Sequence, residues 1–378
     1  MPTFYATASA GTEELLAAEI IALPGCDAPA RHVRAGKGGV RFSGELGTAL
    51  ATCLWSRTAM RVLLPVGSFE AKTAEALYAG VRAIDWSAHL TSRHTFAVEA
   101  TGKTEALRHT HFTALKVKDA IVDSLRDQTG ARPNVDVGSP DVRVVAHLSR
   151  DRCDLSLDIS GEPLFKRGYR REPVKASLKE NLAAAVLLAA GYEGTRPLHD
   201  PLCGAGTLAI EAALIAKNRA PGLQRPFGIE RWPSFDARQK EFLLDLRATA
   251  RRHERAQIPL VRASDRDPEA VAATRVNVQR AGLSIDVLEL DARGIAPLDP
   301  PGFIVANPPY GERLDAGGKK SRKTFFWQLG QKWRAFAGHR LALLAGGPEL
   351  ESAFGLKPVS RRRLWNGPIP CELLIYEP

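Results

Sequence analysis

Asp200-Pro201-Leu202-Cys203-Gly204-Ala205-Gly206-Thr207 stands between a short extended segment ending at residue 200 and an apolar helical segment over 207–216. Extended residues that run through glycines into a helix form the strand-to-helix turn of an open α/β sheet, where such sheets take their ligands. Glycine allows the main chain to approach a bound group closely. A phosphate loop would place Lys after its last glycine, and a dinucleotide loop would show G-x-G-x-x-G. Here Thr207, Leu208 and Ala209 follow instead, which excludes both. A tight turn without a ligand would use the same residues, so the flanking segments decide.

Outward from this turn the chain alternates helix and short apolar strand. Residues 178–188 read as a helix, 260–265 as a strand, 268–281 as a helix, and 285–290 and 303–306 as strands. Residues 341–344 form another strand, and two segments joined at Asn366-Gly367 read as a terminal antiparallel hairpin. Such alternation predicts a mostly parallel sheet with helices on both faces. Asp265 ends the second strand, where a carboxylate can accept from two ribose hydroxyls, with Asp267 the weaker candidate. Asp291 ends the third, placed to accept an adenine amine. Either acid would serve equally as a helix cap.

The first half has another texture. Phe4, Ala6 and Ala8 alternate as a strand, Gly11-Thr12 opens a helix through Leu23, residues 38–42 read as a strand and 46–61 as a helix. This β–α–β–α start predicts a small ferredoxin-like α+β module over 1–61. In the next stretch, 62–165, residues 95–100 form a strand. Ala114, Val117, Ile121, Val122 and Leu125 form the apolar face of a helix, and 142–148 with 155–159 form a hairpin. Residues 166–174, with Lys166-Arg167-Gly168-Tyr169-Arg170-Arg171, read as a basic linker to a domain over 175–378.

The 378 residues carry a net charge of +10, which favours a polyanionic partner. Five scattered cysteines lack C-x-x-C spacing, so no disulfide framework or zinc site is expected. Met1-Pro2-Thr3 leads to Glu13 and Glu14 rather than an apolar leader, and the longest apolar run, 182–190, is too short to span a bilayer. A soluble, cytoplasmic chain is the expectation.

Asn307-Pro308-Pro309-Tyr310 follows the strand 303–306 at another carboxyl end. Two prolines remove backbone donors and fix φ, leaving carbonyl oxygens outward. A conjugated amine is a poor nucleophile until its nitrogen pyramidalises. Acceptors at the Asn307 side chain and the Pro308 carbonyl suit that task, with Tyr310 stacking on the base. A proline-rich loop with Tyr310 packed is the structural alternative. Neither a strong base nor a metal is required, because the proton leaves readily after transfer and a sulfonium donor is itself the electrophile.

These motifs resemble the class I methyltransferases with an N-P-P-Y sequence. The whole chain resembles the THUMP-containing RlmL-type 23S rRNA guanine-N2 methyltransferases. The resemblance rests also on Gly11-Thr12-Glu13-Glu14-Leu15-Leu16, Trp55-Ser56-Arg57, the segments 116–123 and 132–136, Arg167-Gly168-Tyr169-Arg170, and Gly311-Glu312-Arg313-Leu314 after the tetrapeptide. It implies a Rossmann-like methyltransferase domain behind ferredoxin-like and THUMP domains, with S-adenosylmethionine as donor and S-adenosylhomocysteine as product. Asp200, Pro201, Cys203, Gly204, Gly206 and Thr207 would surround the methionine part, Asp265 the ribose and Asp291 the adenine. Asn307, Pro308, Pro309 and Tyr310 would carry the chemistry. Ser177 stands where the family has Pro.

Lys116, Lys118, Arg132, Arg167, Arg170, Lys319, Lys320, Arg322 and Lys323 would be the RNA contacts, each also readable as a solvated surface charge. Some relatives carry a second methyltransferase domain after this point, so one methylation is expected here. The rival readings are a tRNA guanine-N2 methyltransferase, a protein-glutamine methyltransferase and a non-catalytic RNA-binding factor.

Overall fold

The computed structural model describes residues 1–24, 29–170, 178–309 and 318–378. The first half runs β1 (Thr3–Ala8), α1 (Glu13–Ile21), β2 (Arg31–Gly36), β3 (Gly39–Ser43), α2 (Leu46–Trp55) and β4 (Ala59–Glu70). It continues through α3 (Ala74–Arg82), β5 (Thr95–Gly102), α4 (Thr110–Thr129), β6 (Asn134–Val135), β7 (Val142–Ser149) and β8 (Arg152–Asp158). All eight strands join one sheet in the order β2-β3-β1-β4-β8-β7-β5-β6. The long β4 pairs with β1 through Leu63 and with β8 through Glu70, so residue 62 lies inside a strand shared by both halves of that sheet.

The second half runs α5 (Glu180–Ala189), β9 (Leu198–Asp200), α6 (Thr207–Ala216), α7 (Ala237–Arg252), β10 (Val261–Asp265) and α8 (Pro268–Arg280). After β11 (Asp286–Glu289) and β12 (Phe303–Ala306) come α9 (Gly318–Trp333), β13 (Arg340–Ala345), α10 (Glu349–Phe354), β14 (Ser360–Asn366) and β15 (Ile369–Tyr376). Strand order is β11-β10-β9-β12-β13-β15-β14, with β15 antiparallel to both of its neighbours. The chain leaves β9 for one side of the sheet and returns to β12 on the other. The crevice for a ligand therefore opens at the carboxyl ends of β9 and β12. One face of the sheet buries Leu182, Val186, Ala209 and Ala213, the other Phe326, Leu329, Trp333 and Phe354, as expected for a sheet covered on both sides.

The helix expected over 46–61 ends at Trp55. Glu19 causes this stop: its carboxylate accepts from the main-chain N–H groups of Arg57 and Thr58 at 2.8 and 3.1 Å and from the hydroxyls of Ser56 and Thr58. Those bonds hold 56–58 in a turn, and Ala59 begins β4.

A larger departure concerns residues 220–250. Leu223, Phe227, Ile229, Trp232, Phe235, Leu243 and Leu246 pack into the core of the first half, although they follow α6 of the second. Asp236 starts α7 there with a reciprocal cap, accepting from Gln239 N at 2.8 Å while Gln239 Oε1 accepts from Asp236 N at 3.0 Å. No helix among the described residues is long and apolar enough to cross a membrane.

Candidate active site

The turn after β9 is held by β10 and by α8. Gly204 N donates to Asp265 Oδ2 at 3.0 Å, and Cys203 N to the Ser264 carbonyl at 3.0 Å. From α8, Thr274 Oγ1 donates to the Gly204 carbonyl at 2.8 Å and Asn277 Nδ2 to the Ala205 carbonyl at 3.0 Å. Gly206 begins α6 at φ +80°, and a Cβ there would lie 2.7 Å from Thr274 Cγ2. Gly204 also has positive φ, +53°, but a Cβ on it would meet nothing. The space it faces is a cavity of about 1090 Å³ lined by Leu202, Gly204, Asp265, Asp291, Asn307 and Pro309, among others.

Within the set expected to hold the donor, Gly204, Asp265 and Asp291 line this cavity. Asp200, Pro201, Cys203, Gly206 and Thr207 are buried behind its wall and shape it indirectly. Burial drives the Asp200 carboxyl up to about 8, with repulsion from Asp265 adding to the effect. Burial likewise pushes the Cys203 thiol up. Asp291 caps a single 3-10 turn and pairs with Arg293 at 2.6 Å, which holds its carboxyl down at about 2. It is therefore an anion with one cation already beside it.

Asn307 supplies the distinctive atom. Its Oδ1 is buried and has no hydrogen-bond partner among the described residues. An unpaired buried acceptor costs free energy unless a ligand satisfies it. With apolar Leu202, Ala270, Ala273, Ala292 and Phe325 also on the wall, the cavity fits a nucleoside donor beside a base amine. Pro308 follows, buried, and Tyr310 lies outside the described residues.

Among the expected RNA contacts, Lys116, Lys118 and Arg132 share a separate groove of about 540 Å³ along α4. Arg322 and Lys323 lie on α9, whose next turns carry cavity-lining residues. Residues 319 and 320 lie on the same helix, and their side chains fall outside the described residues.

Arg167 does not belong with this group. Its side chain is 3% exposed, its Nε is 3.6 Å from Glu211, and its guanidinium donates to the carbonyls of Leu164 and Arg57. Arg170 is likewise turned inward, donating to the Leu178 carbonyl at 2.8 Å and to Thr207 Oγ1 at 3.1 Å, with Glu180 at 3.4 Å. Both arginines join structural elements: of the stretch 166–174 read as a basic linker, Arg167 and Arg170 meet buried carboxylates, Lys166 is exposed, and residues 171–174 lie outside the described residues.

The sequence reading overlooked Thr274 and Asn277, which anchor the glycine turn, and Ser321, Thr324, Phe325 and Gln328 of α9, which complete the cavity. Thr274 shares the buried face of α8 with Val271 and Val278, at helical spacing. A polar residue in that row is the signal that could have found it.

The fold and the cavity define a class I methyltransferase of the S-adenosylmethionine-dependent kind. Residues 167–375 match the family described as RMKL-like, methyltransferase domain, 71–158 match the THUMP domain, and 3–63 match the RlmL ferredoxin-like domain. The chain belongs to the RMKL-like methyltransferase family. It is 42% identical to the ribosomal RNA large subunit methyltransferase K/L of Syntrophotalea carbinolica, over 99% of this chain and 53% of that protein. With the protein of the same name from Pseudomonas putida strain W619 it is 42% identical, over 99% of this chain and 52% of that one. The chain thus spans about half the length of these relatives. Among solved structures, SMU.472 in complex with SAH is 30% identical with a TM-score of 0.88, covering 100% of this chain and 98% of that one. TrmN from Thermus thermophilus is 26% identical with a TM-score of 0.69, covering 100% and 99%.

Proposed function

We propose that this chain transfers a methyl group from S-adenosylmethionine to the exocyclic N2 of a guanosine in 23S rRNA. The observation that carries the chemistry is that Asn307, whose buried Oδ1 has no partner among the described residues, lines the same cavity as Gly204 and Asp265. The names of the relatives that match 99% of this chain, over about half of their own length, support the substrate. When bound, the donor supplies an electrophilic methyl carbon on a cationic sulfur. In this reading Gly204 gives its main chain room, Asp265 accepts from the ribose and Asp291 faces the adenine.

Asn307 accepts one N–H of the target amine and the Pro308 carbonyl the other. Both bonds bend the nitrogen out of conjugation, so that its lone pair points toward the carbon under attack. Tyr310 stacks on the base, and the cavity wall at Phe325 excludes water. The THUMP match supports RNA as the partner, with Lys116, Lys118 and Arg132 gripping phosphate away from the cavity. The base itself must leave its stack to reach Asn307.

The test is transfer of labelled methyl from the donor to purified 23S rRNA, tRNA and a protein release factor, followed by nucleoside mapping. N2-methylguanosine in 23S rRNA is the expected product. Label confined to tRNA, or to glutamine in the protein, would overturn the substrate assignment.

A further inference from the structure

Helix α9 carries three faces, and only two are used by the site and the core. Phe326, Leu329 and Trp333 are buried, fixing the rotation of the helix. Ser321, Thr324, Phe325 and Gln328 line the cavity that holds Asn307. Lys323, Trp327 and Gln331 repeat at four-residue spacing along the third face, all exposed, and Trp327 is 53% exposed. A single exposed apolar side chain needs no explanation in general. Trp327 differs by its setting, one turn from cavity-lining Thr324 and one turn from Lys323.

Residues 318–334 hold Lys319, Lys320, Arg322, Lys323, Lys332 and Arg334 and no acid. Cations in the first turn oppose the helix dipole and lower the stability of the helix. A local rule broken in this way belongs with function. An exposed indole beside lysines is the platform on which proteins hold unpaired bases, the ring stacking and the ammonium meeting the backbone phosphate.

We propose that Trp327 and Lys323 form a second base site, which takes an unpaired nucleotide next to the target guanosine and holds the substrate strand at the cavity mouth. This rests on the RNA reading above. The occupant is a polynucleotide because residues 318–334 carry cations and no acid, and the helix is continuous with the reaction cavity. It acts by stacking, which every base can satisfy, so it fixes the position of the strand rather than its sequence.

The test measures kcat and KM for an rRNA fragment, donor affinity and melting temperature in wild type, W327A, W327Y and K323A. W327A should raise the RNA KM about tenfold, the scale of one lost base stack, with donor affinity and melting temperature unchanged. W327Y should restore most of the loss, and K323A should lower the slope of binding against log salt by about one.

An unchanged KM in W327A overturns the inference while leaving the RNA reading intact. So does a KM defect that W327Y fails to rescue and that tracks a lower melting temperature. Reduced self-association of W327A with unaltered KM would assign the face to protein and also overturn it. Wild type that methylates no RNA would overturn the RNA reading, and the inference with it.

Discussion

Asn307, Asp200 and the two glycines carry separable duties. Replacing Asn307 by alanine removes the acceptor from the cavity without touching the glycine turn. Methyl transfer should fall by two or more orders of magnitude while donor affinity, measured by titration, stays near wild type. Gly206→Ala meets Thr274 at a positive φ and should cost about 1–3 kcal/mol of stability in denaturant unfolding. Gly204→Ala places its methyl clear of protein atoms on the cavity wall, so its larger effect should be on donor affinity.

Asp200 makes a pH prediction. Its carboxyl titrates near 8 in the fold and near 4 when unfolded, so between those values the native state binds more protons and stability falls as pH rises. Asp200→Asn should flatten the decline in melting temperature from pH 5 to pH 9. Asn307 and Gly204 were legible because chemistry at strand ends leaves a residue signature. The recession of Asp200 and Cys203 behind the wall was not, since exposure depends on what α8 packs against them.

Elements show how similar charge patterns come to lie in different surroundings. On α4, Lys116 and Lys118 lie along a groove that Asp119 and Asp123 share. The Arg167 run looks the same in sequence but answers to Glu211, whose Oε1 also accepts from Tyr169 at 3.2 Å. Arg57 extends the network by donating to the Arg219 carbonyl at 3.0 Å, on the α6 side of the junction. Breaking one partner of a buried ion pair strands the other, at a cost of about 3–5 kcal/mol. Arg167→Ala should therefore lose stability on that scale, whereas Lys116→Ala should stay within about 0.5 kcal/mol and weaken RNA binding instead. Chemical denaturation paired with salt-dependent RNA binding separates the two. The alternation of strands and amphipathic helices was readable because the period is local. The stop of α2 at Trp55 was not, because it depends on Glu19, far away in sequence.

The molecule as a whole is less modular than its sequence suggests. Seven large apolar residues between Leu223 and Leu246 fill the core of the first half, each contributing roughly 1.5–3 kcal/mol by burial. Removing residues 1–165 would expose them to water, and the remaining chain should aggregate or fail to melt cooperatively, as light scattering and calorimetry would show. The intact chain should unfold in one calorimetric transition, because β4 and α7 bridge its parts. Texture along the chain separated an α+β half from a doubly covered parallel sheet, and that division holds at the level of sheets. The crossing of 220–250 was illegible, since apolar residues do not announce which core they join.

The eight-stranded sheet has a further consequence at its rims. One border strand, β6, is two residues long, and the other, β2, carries Arg31, His32 and Arg34 across a register shift, with His32 at φ +51°. Stubby or crooked, charged borders offer a neighbouring chain no straight ladder to extend. Through this sheet, one copy of the chain gives another little on which to build a fibre.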